Sequence, residues 1–109
     1  MSDGAPVQFT SKLWVWQSTS SPGAWHFLTA DGEAGDAIAA HEAMRRMELG
    51  SGRGFGSVKV EAQIGETSWK TSVFPSKSHG GYLLPVKAAV RKAEGLVEGD
   101  EVKASLTLL

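Results

Sequence analysis

The sequence predicts a mainly β domain with two helices (α+β), folded as a closed β-barrel that one chain builds in two related passes, with the helices capping its ends. Three observations carry this. Val58, Val60, Ala62 and Ile64 alternate with Lys59, Glu61 and Gln63, and Val102, Ala104, Leu106 and Leu108 alternate with Lys103, Ser105 and Thr107, the period of half-buried strands. Between those runs, Val86, Ala89, Val90 and Ala93 recur at helical spacing. The order of elements is strand, strand, helix, then hairpin, short strand, helix, strand, a pseudo-duplication without a residue-level repeat, and closure would leave few strand edges.

Residues 1–6 are small, polar or proline and predict a disordered arm, leaving 7–109 as a single domain. Val7 to Gln17 alternates, with Phe9, Leu13 and Val15 on one side and Trp14 and Trp16 on the other. Two apolar faces predict a strand covered on both sides, since aromatics dominate small cores; an aromatic outer patch is the alternative. Ser18 to Gly23 is a loop by composition, and Trp25, Phe27 and Thr29 alternate with His26 and Leu28 in a second strand that forms a hairpin with the first. Asp31 to Gly35 reads as a turn and Asp36 as the N-cap of a helix whose core arc is Ala37, Ala40, Met44 and Met47, with Ile38 and Ala43 at its margins. His41 lies near that arc and reads as a satisfied helix histidine rather than a ligand. The glycine-rich run 50–56 fits neither phosphate-loop pattern and precedes a strand, so it reads as an entry into the sheet.

Gly65-Glu66 has the form of a two-residue hairpin connection, followed by a returning strand with Trp69, Thr71 and Val73 on one face and an end at Pro75. After a polar loop, Tyr82 to Leu84 form a short strand, and Pro85 opens the last helix, where its missing N–H is harmless. Gly95 closes that helix in the left-handed conformation with Leu96 folded back on it, and Glu98 to Asp100 turn the chain into the final strand.

With 109 residues the chain can bury a core without staples, and the absence of cysteine excludes disulfides and thiolate chemistry. The net charge of −1 gives no bulk attraction to nucleic acid or acidic lipid. There is no basic and apolar leader at Met1, and no apolar run reaches the ~20 residues of a membrane span, so a cytoplasmic protein without a membrane partner is expected.

Lys70-Thr71-Ser72, Pro75, the run Gly80-Gly81-Tyr82-Leu83-Leu84-Pro85-Val86-Lys87, Val90-Arg91, Gly95 and Gly99-Asp100 resemble the bacterial domain-of-unknown-function family nineteen-oh-five. The resemblance runs from about residue 9 to the end, and Trp14 and the stretch from Arg53-Gly54 to Gly56 also fit it. It implies a double-split β-barrel related in fold to the AbrB and MazE swapped-hairpin transcription factors, here supplied by one chain. It brings no activity, cofactor or catalytic residue, and a shared fold does not by itself give a function.

The chemistry visible in the sequence is sparse. His26, His41 and His79 are scattered without metal-ligand spacing, so neither a metal nor another cofactor is expected. Ser76, Ser78 and His79 share a loop without the strand-turn-helix elbow of a hydrolase; hydrolase-like catalysis is the least favoured reading, and the balance leans away from an enzyme. A binding or interaction module is favoured; for its ligand the sequence offers a small anion, against the competing reading that the same cations are a solvated basic face. The residues picked for that site are Lys70, His79, Gly80, Gly81, Lys87 and Arg91: the glycine pair allows backbone approach, the helix start supplies amides, and the cations add charge-assisted bonds. The alternative is a nucleic-acid or transcription-related protein of AbrB-like fold, using Arg45, Arg46, Arg53 and Lys59. The partner is otherwise unknown, and a monomer or weak homodimer is expected.

Overall fold

The computed structural model describes residues 6–17, 23–49 and 56–109. Along the chain these form β1 (Val7–Lys12), β2 (Trp14–Gln17), β3 (Ala24–Asp31), α1 (Gly32–Leu49), β4 (Val58–Ile64), β5 (Thr67–Ser76), a 3-10 turn (Lys77–His79), β6 (Gly81–Pro85), α2 (Ala88–Glu94) and β7 (Glu101–Leu108). The strands make one curled antiparallel sheet in the order β1-β7-β4-β5-β6-β3-β2. Most of the predicted arm (residues 1–5), most of the predicted loop (18–22) and most of the glycine-rich entry (50–55, with Arg53) lie outside the described residues.

The sheet is an open half-barrel, not the closed barrel the sequence predicts. Its edges, β1 and β2, are consecutive in sequence, but Leu13 between them turns inward and is 1% exposed. The Leu13 N–H donates to the Asp100 carbonyl at 2.9 Å, and its own carbonyl accepts from the Gly99 N–H at 2.8 Å. The backbone at the bend is therefore spent on the turn before β7, and between β1 and β3 a single bond remains, from the Thr29 N–H to Ser11 Oγ at 2.9 Å. A ring needs a ladder there.

Alternation made the concave face apolar. In β4 and β7 the residues of the predicted parity, Val58, Val60, Ala62, Ile64, Val102, Ala104 and Leu106, are buried together with Leu28, Val73 and Leu84. A fully buried side chain of this size stabilises by about 2 kcal/mol, which is why register is so firmly set here. The tryptophans behave otherwise. Trp69 is buried in the core, but Trp14 is half-buried and Trp16 and Trp25 are 50% and 57% exposed, so the aromatic outer patch is realised and not the doubly covered strand. Trp14 packs on Phe27 with ring centroids 5.1 Å apart and donates its indole N–H to Thr29 Oγ1 at 2.8 Å.

Both helices begin elsewhere than the sequence suggests. α1 starts a turn early, at Gly32, and its core contacts are Ala34 and Ile38, while Met44 and Met47 are exposed. Apolar residues surround this helix, so their spacing does not single out the face; the close seat of Gly35 on β3 does, since a Cβ there would stand 2.8 Å from the Ala30 carbonyl oxygen. α1 packs across β1, β3 and β6, and α2 leans on β5. α2 starts at Ala88 with Lys87 as its N-cap; Pro85 belongs to β6, opposite Phe27. Gly95 closes α2 as expected, at φ 66°, with the Leu96 N–H reaching the Arg91 carbonyl at 2.9 Å. Among the described residues no helix is long and apolar enough to cross a membrane.

Candidate functional site

The sheet splits between β5 and β6, and the backbone pattern explains where. The Leu109 N–H donates to the Lys59 carbonyl at 3.0 Å, so Lys59 turns its backbone toward β7. Alternation then sends Val58, Val60 and Ala62 to β5, where they pair with Val73, Thr71 and Trp69. The backbone groups of Ser68, Lys70, Ser72, Phe74 and Ser76 must point the other way, toward β6. Phe74 and Ser76 find Leu83 and Gly81 there. The next rung would join Ser72 to Pro85, and proline has no N–H to donate. Pairing stops at that rung, Lys87 leaves to cap α2, and the edge of β5 from Ser68 to Ser72 has no strand partner among the described residues. Pro75 does not end β5, because its missing N–H faces the β4 side, beyond the last rung at Val58.

The split is a groove of about 810 Å³. One wall is the edge of β5, from Trp69 to Ser72, continued by Phe74; the other is formed by Ala24 to His26 of β3, Pro85 to Lys87, and Ala88 and Arg91 of α2, with Lys59, Val60 and Leu109 at its remaining side. Its lining is mostly apolar, yet it collects Lys59, Lys70, Lys87 and Arg91. Among the described residues none of these four makes an ion pair; the pair present is Arg46 with Glu42, at 2.7 Å on the surface of α1. The Arg91 Nε–H donates to the Val86 carbonyl at 3.1 Å, which holds the guanidinium over the groove wall. α2 is pinned from its other end, where the Glu94 carboxylate accepts from Thr67 Oγ1 at 2.6 Å and the Glu66 N–H at 3.3 Å. Glu61 faces Lys70 across the β4–β5 ladder and provides local counter-charge.

His26 lies in the groove wall with Nδ1 buried and, among the described residues, without a hydrogen-bond partner. Desolvation, and after it the charge of Arg91, hold its imidazole below its ordinary pKa, with Glu98 opposing them. Burial and Arg91 thus both favour the neutral form of the ring. On α1's side of the sheet, Tyr82 is pushed the other way: burial, then Glu42, raise its phenol, against Arg46.

Of the residues picked from sequence for an anion, the structure brings Lys70, Lys87 and Arg91 to one groove. His79, Gly80 and Gly81 do not line it. His79, itself exposed, stacks on the half-buried Trp14 at 4.5 Å, and its Nδ1 meets Ser76 Oγ at 2.9 Å and Ser78 Oγ at 3.2 Å. Gly80 closes the 3-10 turn at φ 74°, and Gly81 lies on the backbone of β3, where a Cβ would come 2.9 Å from Asp31 Cα. Of the nucleic-acid set, Arg46 is paired with Glu42, Arg45 donates to the Leu109 carbonyl oxygen beside His41, Lys59 accepts from the Leu109 N–H through its carbonyl and faces the groove, and Arg53 lies outside the described residues. Trp25, His26, Trp69 and Ser72 of the groove are not among the site residues expected from sequence; the signal that could have found them is a proline placed opposite a strand at the rung after Phe74. Among the described residues no cluster of three potential metal-ligating groups occurs.

Fold and site together define a small α+β domain whose curled antiparallel sheet parts over a basic, apolar-walled groove. The family model described as a domain of unknown function (DUF1905) matches residues 9–106, and the chain belongs to that family. No curated protein is matched by the chain.

Proposed function

We propose that the domain is a binding module whose groove takes an anionic ligand with an apolar body. The observation that carries the reading is the convergence of Lys59, Lys70, Lys87 and Arg91, without ion pairs among the described residues, on a groove walled by Trp25, Trp69, Phe74 and Val86. Apolar walls provide area and cations provide orientation, the usual composition of a ligand site. In fold we read the half-barrel as kin to the double-split barrels of AbrB and MazE type; supporting this, the β1–β2 segment serves both edges of the sheet across the bend at Leu13.

The test is titration with 8-anilinonaphthalene-1-sulfonate, an anion with an aromatic body, followed by dye fluorescence and by the emission of Trp25 and Trp69. The double variant Lys70→Gln/Lys87→Gln should weaken binding by about tenfold at low salt while melting near the wild type, since both lysines are exposed and exposed cations contribute little to folding but each adds up to about 1 kcal/mol to a docked anion. Dye affinity indifferent to both charges and to salt would remove the reading.

A further inference from the structure

We propose that the natural occupant of the groove is an extended acidic peptide segment, which adds a strand to the free edge of β5. The inference rests on the groove being an anion site and adds the identity of the anion.

A small anion would satisfy the cations and leave the strand edge to water. The edge is the more specific feature. From Ser68 to Ser72 it presents backbone N–H and C=O groups that the register directs away from β4 and that no strand meets among the described residues. At about 3.3 Å per residue this is the footprint of a four- or five-residue strand. Such a strand would alternate its side chains: one set toward the apolar side of the groove, Trp69 and Val86, the other toward the face carrying Lys70 and Phe74. Carboxylates on the second set would meet Lys70, with Lys87 and Arg91 on the facing wall. A lysine on an open edge ordinarily discourages strand addition. Here Lys70 on the edge, with Lys59, Lys87 and Arg91 lining the same groove, turns that deterrent into a selection rule, rejecting apolar and basic strands and accepting acidic ones. A single-stranded nucleic acid would satisfy the cations, and its phosphates could accept from the amides, but it has no regular donor to match the carbonyls that alternate with them.

The probe is a fluorescein-labelled peptide of sequence Glu-Val-Glu-Val-Glu with blocked ends, followed by anisotropy against the whole chain. Only one parity of its backbone can face β5, so two analogues are compared, one N-methylated at both valines and one at the central and last glutamates. We expect one analogue to lose about tenfold or more in affinity and the other to bind like the parent, with hydrogen exchange at the Lys70 and Ser72 amides slowed by the parent. Equal affinity of all three would refute strand addition and leave the groove as a plain anion site. Dye binding without peptide binding would refute the peptide, as would a thymidine oligonucleotide that displaces it at lower concentration. If neither dye nor peptide binds, the anion reading falls and the inference with it.

Discussion

Replacing Gly81 by alanine tests both the packing and the location of the site. Two glycines from different elements converge on one backbone carbonyl: a Cβ on Gly35 would stand 2.8 Å from the Ala30 oxygen, and one on Gly81 would overlap the same oxygen and lie 2.9 Å from Asp31 Cα. These neighbours are backbone, fixed by the ladder in which Ala30 pairs with Tyr82 and Asp31 with Gly81, so they yield only if strands move. Overpacking of this kind costs about 1–3 kcal/mol, against a gain of about 0.4–1 kcal/mol from restricting the unfolded chain. Gly80→Ala is the internal control. It has open space around it but φ of 74°, so it pays only backbone strain of about 1 kcal/mol. We expect Gly81→Ala to melt roughly 5–10 °C below the wild type, and lower than Gly80→Ala, by circular dichroism. Both variants, where folded, should bind the anionic dye like the wild type, because neither glycine lines the groove. A Gly81→Ala domain that melts with the wild type would refute the packing argument, and a folded one that loses the dye would move the site to the glycine pair.

Two further outcomes follow from the groove's supports. Glu94→Ala removes the acceptor of Thr67 Oγ1 and the Glu66 N–H, a carboxylate placed at the unfavourable end of its helix for the sake of those bonds. It should lower stability by about 1–2 kcal/mol in urea unfolding and weaken dye binding through Arg91, and an unchanged midpoint would show that the tie is idle. His26 titrates lower in the fold than its ordinary value of 6.5, so below that pH the unfolded chain binds more protons. Stability should therefore fall as pH is lowered through 6.5 and level off below the folded pKa, with a shallower fall in His26→Gln; equal slopes would contradict the desolvated, Arg91-opposed imidazole.

How legible this was depended on what each residue had to satisfy. β4 and β7 were readable to the residue because a two-residue period on a one-sided sheet leaves a single register. The end of α2 was readable because the Gly95 cap is local chemistry. The buried face of α1 was not, since it is selected by the fit of Gly35 against Ala30, a contact between elements that no periodicity encodes. The same holds for Trp14, Trp16 and Trp25: their bulk argues for the core, but the strand parity that buries Leu28 and Ala30 puts Trp25 and Phe27 on the other face, and β2 follows by pairing. For the site, the spacing of Lys87 and Arg91 predicts a shared helix face and Lys70 lies on the strand leading into the same loop, and in the fold the three share a groove.

What makes that groove is the residue read as the start of the helix. A missing N–H has no consequence at a helix N-terminus, where the sequence puts Pro85, and it has one when the residue stands in a sheet. In β6 it stands at the rung where Ser72 would need its donor, so the ladder that runs from Ser76 to Phe74 cannot continue. The chain then turns into α2 within three residues, and Arg91 is carried over the gap that the turn leaves. A residue with an N–H at position 85 would allow the rung to Ser72, and the sheet could close over the space now lined by Lys70 and Lys87. The proline therefore acts twice: it ends one strand pairing, and by ending it leaves the β5 edge and its cations facing the same cleft.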